Sequence, residues 1–282
     1  MSRITLRRVL SAFLLTVAFL YVTALVYLVT QETRIVFEAG RPLSESRPPF
    51  PYEQIDVPRA DGARQFAWVM RHPVARSWVL YLHGNSATIA SRVNIARYRE
   101  LRALGLNLMA PEYRGFAGLD GTPSEASVAT DARAAFEYLT GTLKVPPSRI
   151  VIYGWSLGSA VAVNAAADLP EAAVVLEGAP ASLVDIGAHR YPFFPVRMIM
   201  RNPFESLAKI GRVHSPMLFL HSPEDAIIPI GEGRRLFEAA RQPKRFVEVR
   251  GGHVYANDVD RERFFNAIRA FLDEYGLLAH QE

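Results

Sequence analysis

The pentapeptide Gly154-Trp155-Ser156-Leu157-Gly158 stands where an apolar run, Ile150-Val151-Ile152-Tyr153, gives way to the alanine-rich stretch 159–167. That order reads as strand, tight turn, helix. Glycines at 154 and 158 let the two elements approach closely, and the turn holds Ser156 in a strained conformation with its hydroxyl in the open. The free N–H groups at the start of the helix point at the same spot and favour negative charge there. The pattern predicts a nucleophile elbow. A glycine-padded turn of this kind also arises by chance, so its partners elsewhere in the chain decide the reading.

From residue 78 onward the chain alternates strand and helix. Strands are predicted over 78–82, 106–110, 150–153, 173–176, 217–220 and 246–249, and helices over 88–104, 123–139, 157–168, 231–240 and 260–275. The later strands are continuous apolar runs, as in a parallel sheet covered on both faces. Upstream, 54–57 and 66–70 flank an Asp61-Gly62 turn and predict an antiparallel hairpin. The predicted fold is α/β, a doubly wound, mostly parallel sheet entered through an N-terminal hairpin. Thr122, Pro123 and Glu125 read as cap, first turn and capping-box partner of the helix at 123. Only 178–215 departs from the alternation. It overhangs the carboxyl ends of the strands, where open α/β sheets bind ligands, and reads equally as a packed helical excursion or as a small lid.

Residues 9–29, VLSAFLLTVAFLYVTALVYLV, carry no charge and follow Arg3, Arg7 and Arg8. About 20 such residues span a hydrocarbon core as a helix. Arginines on the short side predict a cytoplasmic N-terminus and place the rest of the chain across the membrane. A cleaved signal peptide ending at Val22-Thr23-Ala24 competes, but the apolar run continues through Leu25–Val29, which favours a retained anchor. The expected organisation is an anchor over 1–30, a juxtamembrane linker over 31–52 ending in Arg47-Pro48-Pro49-Phe50-Pro51, and one catalytic domain over 53–282.

A serine nucleophile needs a base, the base needs an orienting acid, and in elbow folds they follow in the order serine, acid, histidine. Asp225 follows the strand at 217 in the turn Ser222-Pro223-Glu224-Asp225. His253 follows the strand at 246 in Arg250-Gly251-Gly252-His253, where two glycines let the loop fold over the sheet. Order and placement both fit Ser156, Asp225 and His253. The oxyanion needs two donors, and the backbone N–H groups of Asn85, in Leu82-His83-Gly84-Asn85, and of Leu157 are the candidates. His83 reads as a brace for the glycine turn rather than as base. Glu224, beside Asp225, and Glu177, at the end of the strand from 173, are the rival acids. Phe193, Phe194 and Met198, with Val196, Ile199 and Met200, offer apolar surface near the expected mouth, so Phe193, Phe194 and Met198 are the predicted substrate-binding residues.

Composition narrows the classes. The 32 Arg and Lys outnumber 28 Asp and Glu, but they are scattered without the basic runs and interleaved aromatics that track a phosphate backbone, so no nucleic-acid partner is expected. Zero cysteines exclude disulfides, thiolate metal sites and a cysteine nucleophile. No ligand-spaced His/Glu motif and no phosphate-cradling glycine loop occurs, so no cofactor or metal is expected.

From about Tyr52 to Leu278 the chain resembles the α/β-hydrolase superfamily, and within it the membrane-anchored abhydrolase-domain lipid hydrolases and serine-aminopeptidase-like proteins. The matching words are Leu82-His83-Gly84-Asn85, Tyr113-Arg114-Gly115-Phe116, Gly121-Thr122-Pro123-Ser124-Glu125, the elbow, Asn202-Pro203-Phe204 and Gly251-Gly252-His253. The resemblance implies Ser156 as nucleophile, Asp225 as acid, His253 as base and an oxyanion hole at Asn85 and Leu157. Ala117 and Leu119 stand where the branch usually has Gly and Ser, and Ser222 where it commonly has Gly, which predicts a differently shaped loop after Tyr113.

The expected function is hydrolysis of a carboxylic ester or thioester of an apolar acyl group, with a small acyl ester or lipid-like substrate and the membrane as partner. Two alternatives stand beside it. One is a peptidase acting on short peptides, which would need an anchor for a peptide terminus. The other is a non-catalytic envelope protein on a hydrolase scaffold.

Overall fold

A computed structural model describes residues 3–44 and 46–279. Met1, Ser2, Glu45 and 280–282, parts of the expected anchor, linker and catalytic segments, lie outside the described residues, as do the side chains of residues 3–6.

The sheet is eight-stranded, in the order β1-β2-β4-β3-β5-β6-β7-β8. β1 (Glu53–Asp56) and β2 (Phe66–Met70) form the antiparallel entry hairpin, and β2 pairs antiparallel with β4 (Asn107–Pro111). From there every pairing is parallel, through β3 (Trp78–Leu82), β5 (Ile150–Trp155), β6 (Ala173–Glu177), β7 (Met217–His221) and β8 (Lys244–Glu248). The period of two along a strand sends alternate side chains to two separate cores. Leu80, Leu82, Ile150 and Ile152 face one with α3 (Glu125–Glu137) and α4 (Leu157–Ala166). Val79, Tyr81, Val151 and Tyr153 face the other with α2 (Arg92–Ala103) and α10 (Arg261–Glu274). The strand order reverses at β3, so the carboxyl ends of β3 and β5 border the crevice where such sheets place their chemistry.

Two local readings are corrected. The cap of α3 is Ser124, not Thr122: its side chain accepts from the Ser127 N–H while the Ser127 hydroxyl accepts from the Ser124 N–H. Glu125, read as the capping-box partner, turns outward and accepts from Phe204 N–H at 2.8 Å and Lys209 Nζ at 2.7 Å, while Asn202 Oδ1 accepts from Glu125 N–H. The words Gly-Thr-Pro-Ser-Glu and Asn-Pro-Phe are therefore the two halves of one lock. The loop after Tyr113, expected to be shaped differently, holds Ala117 in the left-handed conformation at φ 51°, a glycine-type turn kept at a conformational cost.

The N-terminal helix α1 runs Arg3–Phe37 without interruption and so takes in 31–37, the first part of the expected linker. Thirty-five residues extend about 52 Å at 1.5 Å each. Its first part is apolar and exposed, long and apolar enough to cross a membrane, and it fits a single-pass anchor. Its last turns dock on the body. Phe37 is fully buried edge-on against Phe204, and Glu32 accepts from Arg201 and Asn202.

The segment between β6 and β7 forms α5 (Leu183–Arg190), α6 (Val196–Ile199) and α7 (Ser206–Ile210). α8 (Ile230–Ala239) follows β7, and α9 (Gly252–Val259) begins at the loop that carries His253.

Candidate active site

Ser156 sits between β5 and α4 at φ 56°, ψ −123°, a conformation that L side chains rarely adopt. Neighbouring glycines make it attainable. A Cβ on Gly158 would overlap the Leu82 carbonyl, and one on Gly154 would overlap the backbone of Gly158 and Ser159. The Ser156 N–H donates to Glu177 O at 2.8 Å, fixing the turn to β6.

His253 and Asp225 complete a relay. His253 Nε2 is 2.6 Å from Ser156 Oγ, and His253 Nδ1 is 2.6 Å from Asp225 Oδ2. Asp225 Oδ1 accepts from Ile227 and Ile228 N–H at 2.9 and 2.8 Å. Burial alone would oppose ionisation of this carboxyl. The hydrogen bond and charge of His253 and the two amides outweigh it and hold Asp225 below the usual carboxylate range. His221 closes the far side, its Nε2 donating to Ile228 O at 2.9 Å, and burial holds its imidazole below the ordinary value.

The acid turn and histidine loop are stitched to each other. Ser222 Oγ accepts from Glu224 N–H at 3.2 Å and Gly252 N–H at 3.1 Å, and Glu224 accepts from Gly251 N–H. Gly178, at φ 57°, lies beneath the imidazole, where a Cβ would come within 3.3 Å of two ring atoms. Trp155 Nε1 donates to His253 O at 3.2 Å, and the indole in turn lies under the Arg97 guanidinium at 4.2 Å. Trp155, Glu224, Gly251 and Gly252 stand in motifs already visible in the sequence, whereas Arg97 and Gly178 carry no such signal.

Each rival side chain is engaged elsewhere. Glu177 is buried, bonded to Arg97 through two nitrogens and to the Tyr153 hydroxyl at 2.5 Å. His83 is fully buried with Nδ1 against Gly84 O and Nε2 against Glu112 Oε1, both 2.8 Å, which makes it the brace of its turn. Among the described residues, the N–H groups of Asn85 and Leu157 have no intramolecular acceptor, and both residues border the same cavity as Ser156. Two free amides beside a serine hydroxyl that borders the cavity can stabilise an oxyanion.

That cavity holds about 310 Å³ and is mainly apolar, at the small end of the ligand-pocket range. The structure corrects its predicted walls. Phe193, Phe194 and Met198 do not line it: Phe193 and Met198 are 85% and 86% exposed, and Phe194 stacks on Tyr21 of α1. Val196, Ile199 and Met200, expected near the mouth, do line it, since their spacing of three and four puts them on one face at α6, and Ile186 of α5 joins them. The opposite wall, missed entirely, is α1 itself through Leu28, Val29, Glu32, Ile35 and Val36. Their spacing of one, three and four marks one helix face, but it straddles the apolar span and the stretch expected to be linker. Among the described residues, no group of three or more His, Asp or Glu side chains is arranged to hold a metal ion.

An elbow serine, a parallel sheet reversing beside it and a Ser-His-Asp relay define an α/β-hydrolase. Residues 79–210 match the alpha/beta hydrolase family. Over 259 residues, 90% of this chain and 92% of its relative, the chain is 36% identical to uncharacterized protein Rv2307c of Mycobacterium tuberculosis. It is 29% identical over 282 residues to alpha/beta hydrolase domain-containing protein WAV2 of Arabidopsis thaliana, covering 90% of this chain and 91% of that one. With lysophosphatidylserine lipase ABHD12 of Danio rerio it shares 30% identity over 192 residues, 61% of this chain and 48% of the lipase. The Pyrococcus furiosus esterase Pf2001 superposes with a TM-score of 0.73 over 84% of this chain and 97% of the esterase, and at 16% identity that likeness is one of fold. The chain belongs to the α/β-hydrolase superfamily.

Proposed function

We propose that the protein is a membrane-anchored serine hydrolase that cleaves the carboxylic ester or thioester of an apolar acyl group. The observation that carries this reading is the unbroken relay from Ser156 Oγ through His253 to Asp225, opening on an apolar cavity.

In the proposed reaction His253 Nε2 takes the Ser156 hydroxyl proton as Oγ attacks the acyl carbon. The carbonyl oxygen gains the negative charge and is held by the Asn85 and Leu157 N–H groups. Asp225, ionised by its hydrogen bonds, keeps the Nδ1 proton of His253 in place and stabilises the imidazolium. The imidazolium then gives its proton to the leaving alkoxide or thiolate, the acyl group stays on Ser156, and a water activated by His253 releases the acid.

An apolar acyl group is supported by the cavity wall, and a relative over 61% of this chain is a lysophosphatidylserine lipase. The peptidase alternative needs a free carboxylate to hold a peptide amine. Both Glu32 oxygens are committed to Arg201 and Asn202, and Glu38 is an exposed partner of Arg41. Hydrolysis of p-nitrophenyl esters by the full chain tests the reading. Turnover should rise from acetyl toward medium chains, since each buried methylene contributes about 0.8 kcal/mol, and Ser156→Ala should remove it. A native protein inert toward the whole series would overturn the ester reading.

A further inference from the structure

Resting on that reading, we propose that the α5–α6 cap is seated in the same leaflet as α1, and that the substrate is an acyl ester lipid drawn sideways from the bilayer. The observation that forces the question is a contact. Tyr21 lies inside the apolar span, eight residues before Val29, which is about 12 Å along the helix. Its ring stacks on Phe194 at 5.1 Å with 9° between the planes, and its hydroxyl donates to Phe193 O at 3.0 Å. A cap that touches α1 at that depth cannot lie in water while α1 spans a membrane.

The cap's surface agrees. Phe193, whose carbonyl accepts from Tyr21, and Met198 are both strongly exposed, which is costly against water and favourable against acyl chains. Two arginines stand where the headgroups would be. Arg201 donates to Val29 O at 2.8 Å and to Glu32, one turn beyond the end of the apolar span, and Arg190 stands at the cavity edge. Arginine stems lie along apolar surface with the guanidinium at the interface.

The cavity joins these two facts to the chemistry. One wall is α1 from Leu28 to Val36, the other is the cap through Ile186, Val196 and Ile199, and Ser156 lies between them. The lining reaches Leu28, within the last turn of the apolar span. An acyl chain therefore passes from the leaflet to the serine between two apolar walls without crossing water, and the ester group arrives at headgroup level.

The chain has no cysteine, so a single substitution gives a unique labelling site. Full-length protein carrying Phe193→Cys or Met198→Cys with a nitroxide label is placed in phosphatidylcholine nanodiscs. Its accessibility to oxygen and to a water-soluble nickel chelate is read by electron paramagnetic resonance. Labels at 193 and 198 should favour oxygen, as a label at Leu14→Cys on α1 does, whereas Val74→Cys, exposed on the body, should favour the chelate. An aqueous pattern at 193 and 198 would overturn the seating.

The substrate is tested with the double variant Phe193→Asp, Met198→Asp. It should hydrolyse p-nitrophenyl acetate like the wild type, yet lose about tenfold or more on a lysophospholipid ester presented in the nanodisc, because carboxylates resist entry into hydrocarbon. Equal loss on both esters, or on neither, would overturn lateral entry. Wild-type protein inert toward both esters would overturn the hydrolase reading and the substrate with it, while the label pattern alone still upholds or overturns the seating of the cap.

Discussion

Glu32 Oε1 on the anchor helix accepts two hydrogen bonds from one residue of the cap segment, the N–H of Asn202 at 2.8 Å and its side-chain amide at 3.0 Å. The anchor is thereby a structural part of the hydrolase and not a tether. Removing a buried, multiply bonded carboxylate leaves its donors unsatisfied. Glu32→Ala should destabilise the protein by about 2–4 kcal/mol and lower medium-chain ester turnover, with Glu32→Gln recovering part of both. Thermal unfolding in detergent checks this, and an unchanged Tm for Glu32→Ala would show that α1 is only tied on.

Asp225 and Glu177 separate chemistry from stability. Asp225→Asn should fold and lose about 10³–10⁴-fold in kcat/KM, since the imidazole loses its orienting charge. Glu177→Gln should act through the fold instead, because it leaves Arg97 buried without its counter-charge, at a cost of about 3–5 kcal/mol. Activity per folded molecule distinguishes the two. A folded Glu177→Gln variant with collapsed turnover, beside a nearly wild-type Asp225→Asn, would reverse the assignment of the acid.

The anchor wall should set acyl length. Val29 borders the cavity from α1, and Val29→Trp fills space equivalent to a few methylenes. At about 0.8 kcal/mol each, loss of two is roughly a tenfold effect. Octanoyl ester turnover should fall by about that factor while acetyl turnover holds. An unchanged chain-length profile would move the acyl group away from α1.

Much of this was legible in the sequence, for definite reasons. The strands, the elbow and the order of Ser156, Asp225 and His253 follow from local patterns that the fold does not override. What stayed hidden depends on contacts between distant segments. Glu125 reads as a capping-box residue on local spacing, yet long-range donors at Phe204 and Lys209 claim it and leave the cap to Ser124. Phe193 and Met198 read as pocket residues because aromatic and Met side chains suit one, but both are exposed while Val196, Ile199 and Met200 line the cavity. The wall is masked at Leu28 and Val29 because an all-apolar helix has no distinct face to read, and at Ile35 and Val36 because that stretch reads as linker.

Topology follows from charge. Reporter fusions after residue 40 should place the body outside the cytoplasm, with Arg7 and Arg8 inside, and the mature protein should keep Val9–Val29. Cleavage after Ala24 would sever the Tyr21–Phe194 stack. An N-terminal sequence beginning at Leu25 would convert the anchor to a signal peptide, and a cytoplasmic reporter would invert the orientation.

The central claim is that Ser156 is a nucleophile activated by His253, and covalent trapping tests it most directly. A fluorophosphonate is attacked by an activated serine hydroxyl with loss of fluoride, leaving a phosphonyl group on Oγ. In full-length protein held in detergent or nanodiscs, peptide mapping should find the adduct on Ser156. Ser156→Ala should abolish it, and His253→Ala should slow it by orders of magnitude. Folded, full-length protein that stays unlabelled, or that carries the adduct on another residue, would contradict the account.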